Sequence, residues 1–153
     1  MRAGGVTTIV SGGQTGVDRA ALDVALELGR PCGGWCPRGR RAEDGVVPPR
    51  YLLRETPSRD YRQRTAWNVR DSDGTLVLAW GEPRGGSAYT VRIAVRLGKP
   101  VLVLDLSAAP EPAPVREWLA AHAVRVLNVA GPRASEAGEA YARAVALLRA
   151  LLT

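Results

Sequence analysis

Short apolar, β-branched stretches alternate along the chain with segments whose apolar residues recur every three or four positions. Val6, Ile9 and Val10 predict a first strand ending at Ser11, and Val17, Ala20, Ala21, Val24 and Leu28 predict a helix that starts near Gly16. Residues 31–37 read as a second, glycine-interrupted strand, residues 38–57 as a long polar loop, and residues 60–71 as a helix. An apolar third strand over 75–80 leads into a helix over 87–97, and a fourth strand over 101–106 into a proline-opened helix over 112–122. A fifth strand over 124–129 precedes a closing helix over 134–152, with Ala137, Tyr141, Val145, Leu148 and Leu152 on one face. Strand and helix alternating across short links predict an α/β fold: a mostly parallel sheet of about five or more strands with helices on both faces.

The junction of the first strand with its helix carries the first chemical signal. Gly12, Gly13 and Gly16 let the backbone turn tightly and approach a ligand, while the free N–H groups of a helix's first turn attract anions. A plainer reading stands beside it. Thr15 and Asp18 have capping-box spacing, so side chains could satisfy those donors without any ligand, and Asp18 would repel a phosphate placed too near. The dinucleotide spacing G-x-G-x-x-G is not met.

With 153 residues, 46% apolar and 24% charged, the chain fits one domain able to bury a core. Its longest apolar runs are strand-sized, far below the roughly 20 residues that cross a bilayer, and its N-terminus lacks a signal peptide's apolar core. These features read as a cytoplasmic protein without a membrane role. Cys32 and Cys36 would stand about 13 Å apart along a strand, beyond disulfide reach. With His122 the single histidine, the usual soft ligands do not assemble a closed zinc site. The net charge of +6 comes from twenty arginines and one lysine, Lys99. Arginine's planar fork suits phosphate and carboxylate, which makes nucleic acid a partner to weigh. The arginines are dispersed, however, and no nucleic-acid module appears, which argues against that partner.

In an open parallel sheet, ligands bind outside the carboxyl ends of the strands. The expected strand ends deliver Ser11, Gly12, Gly13, Gln14, Thr15 and Gly16, then Arg38, Arg40 and Arg41 followed by Glu43 and Asp44, then Gly85 and Gly86 with Ser87 as N-cap and Thr90 one turn on. The fourth strand ends in Asp105 and the fifth in Asn128. Two glycine-rich loops feeding helix N-termini, with an arginine-bearing loop nearby, suit a ligand carrying phosphate at one end and hydrogen-bonding rings at the other. The helix over 60–71 has a continuous polar face including Tyr61, Arg64, Thr65 and Asn68. Such a face is ordinarily solvated, but Arg64 and Asn68, one turn apart, could reach the same crevice. Asp73, in the turn 71–74, could do no more than fix that turn.

Six blocks in order, S-G-G-Q-T-G-V-D-R-A-A-L-D, G-G-W-C-P-R-G-R-R-A-E-D-G, L-R-E-T-P-S-R-D-Y, N-V-R-D-S-D-G-T-L, G-G-S-A-Y-T and L-N-V-A-G-P-R, resemble the molybdenum cofactor carrier family nearly end to end. That family resembles a wider Rossmann-like group that includes lysine-decarboxylase-like nucleotide hydrolases and the DNA-processing protein DprA. The resemblance implies a Rossmann-like fold, self-association into dimers or tetramers, and a strand-end site for the phosphorylated pterin of molybdenum cofactor (molybdopterin), with a molybdoenzyme as acceptor. Carried over, Gly12, Gly13, Thr15 and Gly16 hold the phosphate, Gly85, Gly86, Ser87 and Thr90 form a second cradle, and Arg38, Arg40 and Arg41 neutralise charge. Ser11, Gln14 and Asn128 complete the candidate set, and no catalytic residue is assigned. The hydrolase relatives carry a glutamate in P-G-G-x-G-T-x-x-E, which is missing after Gly86 here, although Glu43, Asp44 or Asp73 could supply a carboxylate. The alternatives are therefore a nucleoside monophosphate hydrolase and a single-stranded DNA binder, the latter recognisable by steep weakening with salt.

Overall fold

A computed structural model describes residues 5–153. Five parallel strands form the main sheet: β1 (Thr8–Val10), β2 (Cys32–Gly33), β7 (Gly74–Ala79), β8 (Val101–Asp105) and β9 (Val126–Ala130), in the order β2-β1-β9-β7-β8. The helices are α1 (Val17–Glu27), α2 (Tyr61–Arg70), α3 (Gly85–Arg96), α4 (Pro112–Ala121) and α5 (Ala140–Leu152). Helix α5 packs on α1 and α4, while α2 packs on α3, which gives the two outer layers. The main core lies under α1, α4 and α5, where Ile9, Val24, Leu76, Leu78, Leu127 and Leu148 are fully buried; Val69, Ile93 and Ala94 join the layer of α2 and α3.

The last strand in the chain sits at the centre of the sheet. From β1 the chain crosses over to β2 on one side, and from β7 to β8 on the other, so their two loops diverge around the end of β9. That is the switch point where an open α/β sheet leaves a crevice. Strand β1 stops at Val10, level with Asn128, whereas β7 continues beside Val129 and Ala130 to Ala79, which deepens the recess above β1.

Two expectations for the chain between the first helix and α2 need correction. Residues 31–37 do not form one strand: Gly34, at φ 132°, breaks it into β2 and β3 (Trp35–Cys36), and β3 pairs with β6 (Arg54–Glu55) instead. A Cβ on Gly34 would lie 2.4 Å from the Ser11 carbonyl oxygen, so the chain bends because it must pass β1 closely. Asn68 then takes over as a strand partner, accepting from the Trp35 N–H at 2.8 Å and donating to its carbonyl at 3.0 Å. Residues 38–57 are not a plain polar loop either. They contain the hairpin β4 (Arg41–Ala42) and β5 (Gly45–Val46), and Val47, Tyr51 and Leu53 are buried with Leu22 and Cys36 in a satellite core.

Helix ends shift for physical reasons. Ser87 is not the N-cap of α3; Arg84 is, and Ser87 lies inside the first turn with its N–H on the Arg84 carbonyl. The closing helix begins at Ala140 rather than 134, because residues 133–139 turn to tie the β9 loop to its neighbours. Both cysteines are free, in different sheets.

Candidate functional site

The β1 loop, the β7 loop and the end of β9 open on one cavity of about 800 Å³. Gly12, Gln14, Arg41, Gly85, Gly86, Ser87, Thr90 and Asn128 from the predicted set line it, joined by Asp18, Glu43, Arg64, Thr65, Asn68 and Gly131 among others. The two glycine loops therefore share one hollow. Helix α2 turns its polar face inward: Arg64, Thr65 and Asn68 are buried, because the layer beneath them is a cavity and not a core.

The remaining predicted residues serve the frame. Ser11 is buried and donates to the Asp18 carbonyl at 2.9 Å. Gly13 lies behind the loop, with its Cβ direction closed by Leu53 at 2.5 Å, and Gly16 faces the Pro132 carbonyl oxygen at 2.4 Å. Thr15 donates to Glu43 and accepts from the Ala134 N–H at 3.0 Å. The Thr15 and Asp18 capping box is thus not formed; Gly16 caps α1 without a side-chain bond, and Asp18 reaches the Gln14 N–H at 3.3 Å. Arg38 is exposed and does not line the cavity.

Arg40 is spent on the backbone. Its guanidinium donates to the carbonyls of Val47, Leu53, Pro48 and Tyr51 at 2.8–3.2 Å, where it stitches the satellite core together and has no free edge for a ligand. Arg40→Ala is expected to lower stability by about 2–4 kcal/mol, since several buried carbonyls lose a charged donor. Urea unfolding checks this, and an unchanged midpoint would contradict it.

Glu43 clasps the hairpin over the first loop. Its carboxylate accepts from the Thr15 and Ser135 hydroxyls and from the Ser135 N–H at 3.2 Å, which hold it below the usual glutamate range. Its own N–H donates at 2.9 Å to the Gln14 side chain, which also accepts from Thr15 N–H. Asp44 pairs with Arg19 at 2.6 Å. The α1 loop is thereby partly filled by the chain's own carboxylate, which leaves the α3 end, where Arg84 offers no capping side chain, as the freer cradle. Gly86 is exposed there, and a Cβ on it would meet nothing nearer than Tyr61 at 3.8 Å. Asp73 and Asp105 lie apart from this: Asp73 accepts from the N–H groups of Arg125 and Val126 at the opposite, N-terminal ends of β7 and β9, and Asp105 fixes Gly81 and Ser107.

Arg64 and Asp18 form the floor, and composition alone does not single them out. Arg64 is 8% exposed and donates at 2.8 Å to the Gly12 carbonyl, a contact that a side chain at position 12 would displace, because a Cβ there would lie 2.5 Å from Nη1. The signal for it is the polar stripe of α2. Asp18 is pushed up to about 6 by burial, against the pull of Arg64. Because the folded protein holds the Asp18 proton more tightly than the unfolded chain, stability falls as pH rises from about 4 to about 6, by up to about 3 kcal/mol. Asp18→Asn removes that loss: the variant is expected to match the wild type below pH 4 and exceed it by about 2–3 kcal/mol at pH 8. Denaturant unfolding at the two pH values checks this, and equal stability at both would contradict it.

Residues 9–152 match the model of the Circularly permutated YpsA SLOG family. The chain belongs to that family. A terminal strand at the sheet's centre is in keeping with a permuted chain. A crystal structure described as "Putative molybdenum carrier protein" from Syntrophus aciditrophicus is 46% identical, with a TM-score of 0.92 over 97% of this chain and 96% of that one. The Rossmann-like fold and the family resemblance read from the six sequence blocks both hold. No curated protein matches. Among the described residues of this SLOG protein, no helix is long and apolar enough to cross a membrane, and no group of three or more His, Cys, Asp or Glu is placed to hold a metal ion.

Proposed function

We propose that this SLOG-family chain binds a phosphorylated heterocycle reversibly, without chemistry, and that the guest is molybdenum cofactor carried to an apo-enzyme in the cytoplasm. The observation that carries the reading is the shared cavity: two glycine-bearing loops and a buried guanidinium face one hollow of a size suited to a small organic ligand. The anionic group rests on the amides of Gly85 and Gly86, where the dipole of α3 favours negative charge, and on Arg64. Gln14, Thr90, Asn128 and Arg41 flank it. The name of the similar crystal structure supports the cargo. Self-association into a dimer or tetramer belongs to the same proposal.

The test is protection. Protein mixed with released cofactor is expected to slow its oxidation and hand it to an apo-molybdoenzyme. Gly86→Leu is expected to weaken binding at least tenfold with melting unchanged or raised, since residue 86 lies in a helix where glycine costs about 1 kcal/mol and the new side chain enters open space. Protection equal to the wild type would place the guest elsewhere.

One observation favours a second reading. The Asp18 carboxyl, pushed up to about 6 inside the cavity, is suited to proton transfer near neutral pH. A nucleoside monophosphate hydrolase would release free base on incubation with nucleoside monophosphates; a pure carrier releases none.

A further inference from the structure

Two buried side chains of opposite charge meet the cavity beside Gly12, and among the described residues neither has an ion partner within 4.0 Å. Arg64 uses Nη1 on the Gly12 carbonyl and Nε on Thr65 Oγ1, and among the described residues Nη2 makes no hydrogen bond. Asp18, 7% exposed, accepts through Oδ2 from the Gln14 N–H at 3.3 Å, and the Gly12 N–H also faces its carboxylate. Among the described residues no buried side-chain nitrogen or oxygen lacks a partner, so Nη2 and Oδ1 are not sealed in protein; they open to the space their residues line.

The arrangement is wrong for a bare anion. A carboxylate has about four acceptor positions, and a buried one left short of donors is costly. Its charge also opposes an oxyanion held by Arg64 and α3. Both objections vanish if the guest brings hydrogen-bond donors of its own next to its anionic group. A carboxylate takes two parallel donors well, the geometry that it uses toward guanidinium groups.

We infer that Asp18 is a specificity-determining residue that reads a pair of N–H or O–H donors on the ligand, so that the site selects phosphate esters of donor-bearing rings or sugars over bare anions. The inference rests on the binding reading proposed above. Two sources supply that donor pair: the amino-imino edge of a 2-amino-4-oxo pyrimidine ring, and the vicinal hydroxyls of a sugar.

Calorimetric titration of the wild type and Asp18→Asn at pH 7.5 with sulfate, ribose 5-phosphate, GMP and AMP tests it. Asp18→Asn is expected to bind sulfate about threefold or more tightly, because a negative charge leaves the floor, yet to lose tenfold or more in affinity for the donor-bearing ester. A loss confined to GMP assigns the ring edge; a loss shared by ribose 5-phosphate, GMP and AMP assigns the diol. A shift of every probe in the same direction, or no shift with any ester, would overturn the inference and leave Asp18 as a counter-charge to Arg64. The wild type provides a second readout in the ¹³C signal of the Asp18 carboxyl. Its titration moves to lower pH with the preferred ester and to higher pH with sulfate, and an upward move with both overturns the inference. If the wild type bound none of the four probes, the anion site itself would fall, and this inference with it.

Discussion

Arg64→Met is expected to lose binding of phosphate esters by roughly ten- to a hundredfold or more while the chain stays folded. Hydrogen bonds from a charged donor contribute about 1.5–3 kcal/mol each, and each 1.4 kcal/mol is a factor of ten. Arg64 is the buried one among the cavity's arginines: Arg41, Arg59, Arg62 and Arg133 are exposed, where attraction is screened. Methionine keeps the length and the apolar contacts, and replacing a buried charge by a well-packed apolar side chain is often close to neutral for stability. The Gly12 carbonyl loses its donor, a penalty of about 1 kcal/mol. Asp18 loses the attraction that holds it down, so its carboxyl moves above about 6. Arg38→Ala, outside the cavity, serves as the control and is expected to bind as the wild type does. Titration calorimetry with a melting curve for each variant checks both halves; unchanged affinity in Arg64→Met would contradict the placement of the anion.

Gly131→Ala is expected to act on the fold instead. A Cβ there would sit 2.4 Å from the Leu78 carbonyl oxygen and 2.7 Å from Val17 Cβ, so it would wedge β9 away from β7 and from the start of α1. Neither obstacle is the loose end of a flexible side chain. The expected loss is about 3–5 kcal/mol, a large part of an ordinary domain's 5–15 kcal/mol, and a melting point lower by about 10 °C or more. A wild-type melting curve would mean that the β9 loop does not pass between its neighbours as described. The contrast with Gly86, where added bulk enters open space, separates glycines kept for packing from those kept for the guest.

Periodicity reads β1, β7, β8, β9 and the helices α1, α3, α4 and α5 well, since each buries an apolar stripe or run, while α2 shows itself by a polar stripe instead. It does not reveal that β9 lies between β1 and β7, because strand order depends on crossovers that no local pattern records. The break at Gly34 is equally hidden, arising from contact with Ser11 and Asn68, far away in sequence. Val47, Tyr51 and Leu53 build a core without any period, which is why the stretch around them reads as loop. Among three neighbouring arginines, Arg40 differs through four carbonyls brought round by that same core, and nothing in R-G-R-R distinguishes it. Site legibility follows the same division. Glycine loops and helix starts are local, so Gly12, Gly85 and Gly86 can be found from the sequence, while Asp18 passes for a cap and Arg64 for a solvated face until the cavity beside them is known.

The most direct test is a crystal of the wild-type protein grown with released molybdenum cofactor and measured at the molybdenum absorption edge. An anomalous peak is expected within the hollow between the β1 and β7 loops, with the phosphate of the cofactor on the amides of Gly85 and Gly86 and on Arg64. A peak on another face of the molecule, or phosphate density away from α3, would contradict it.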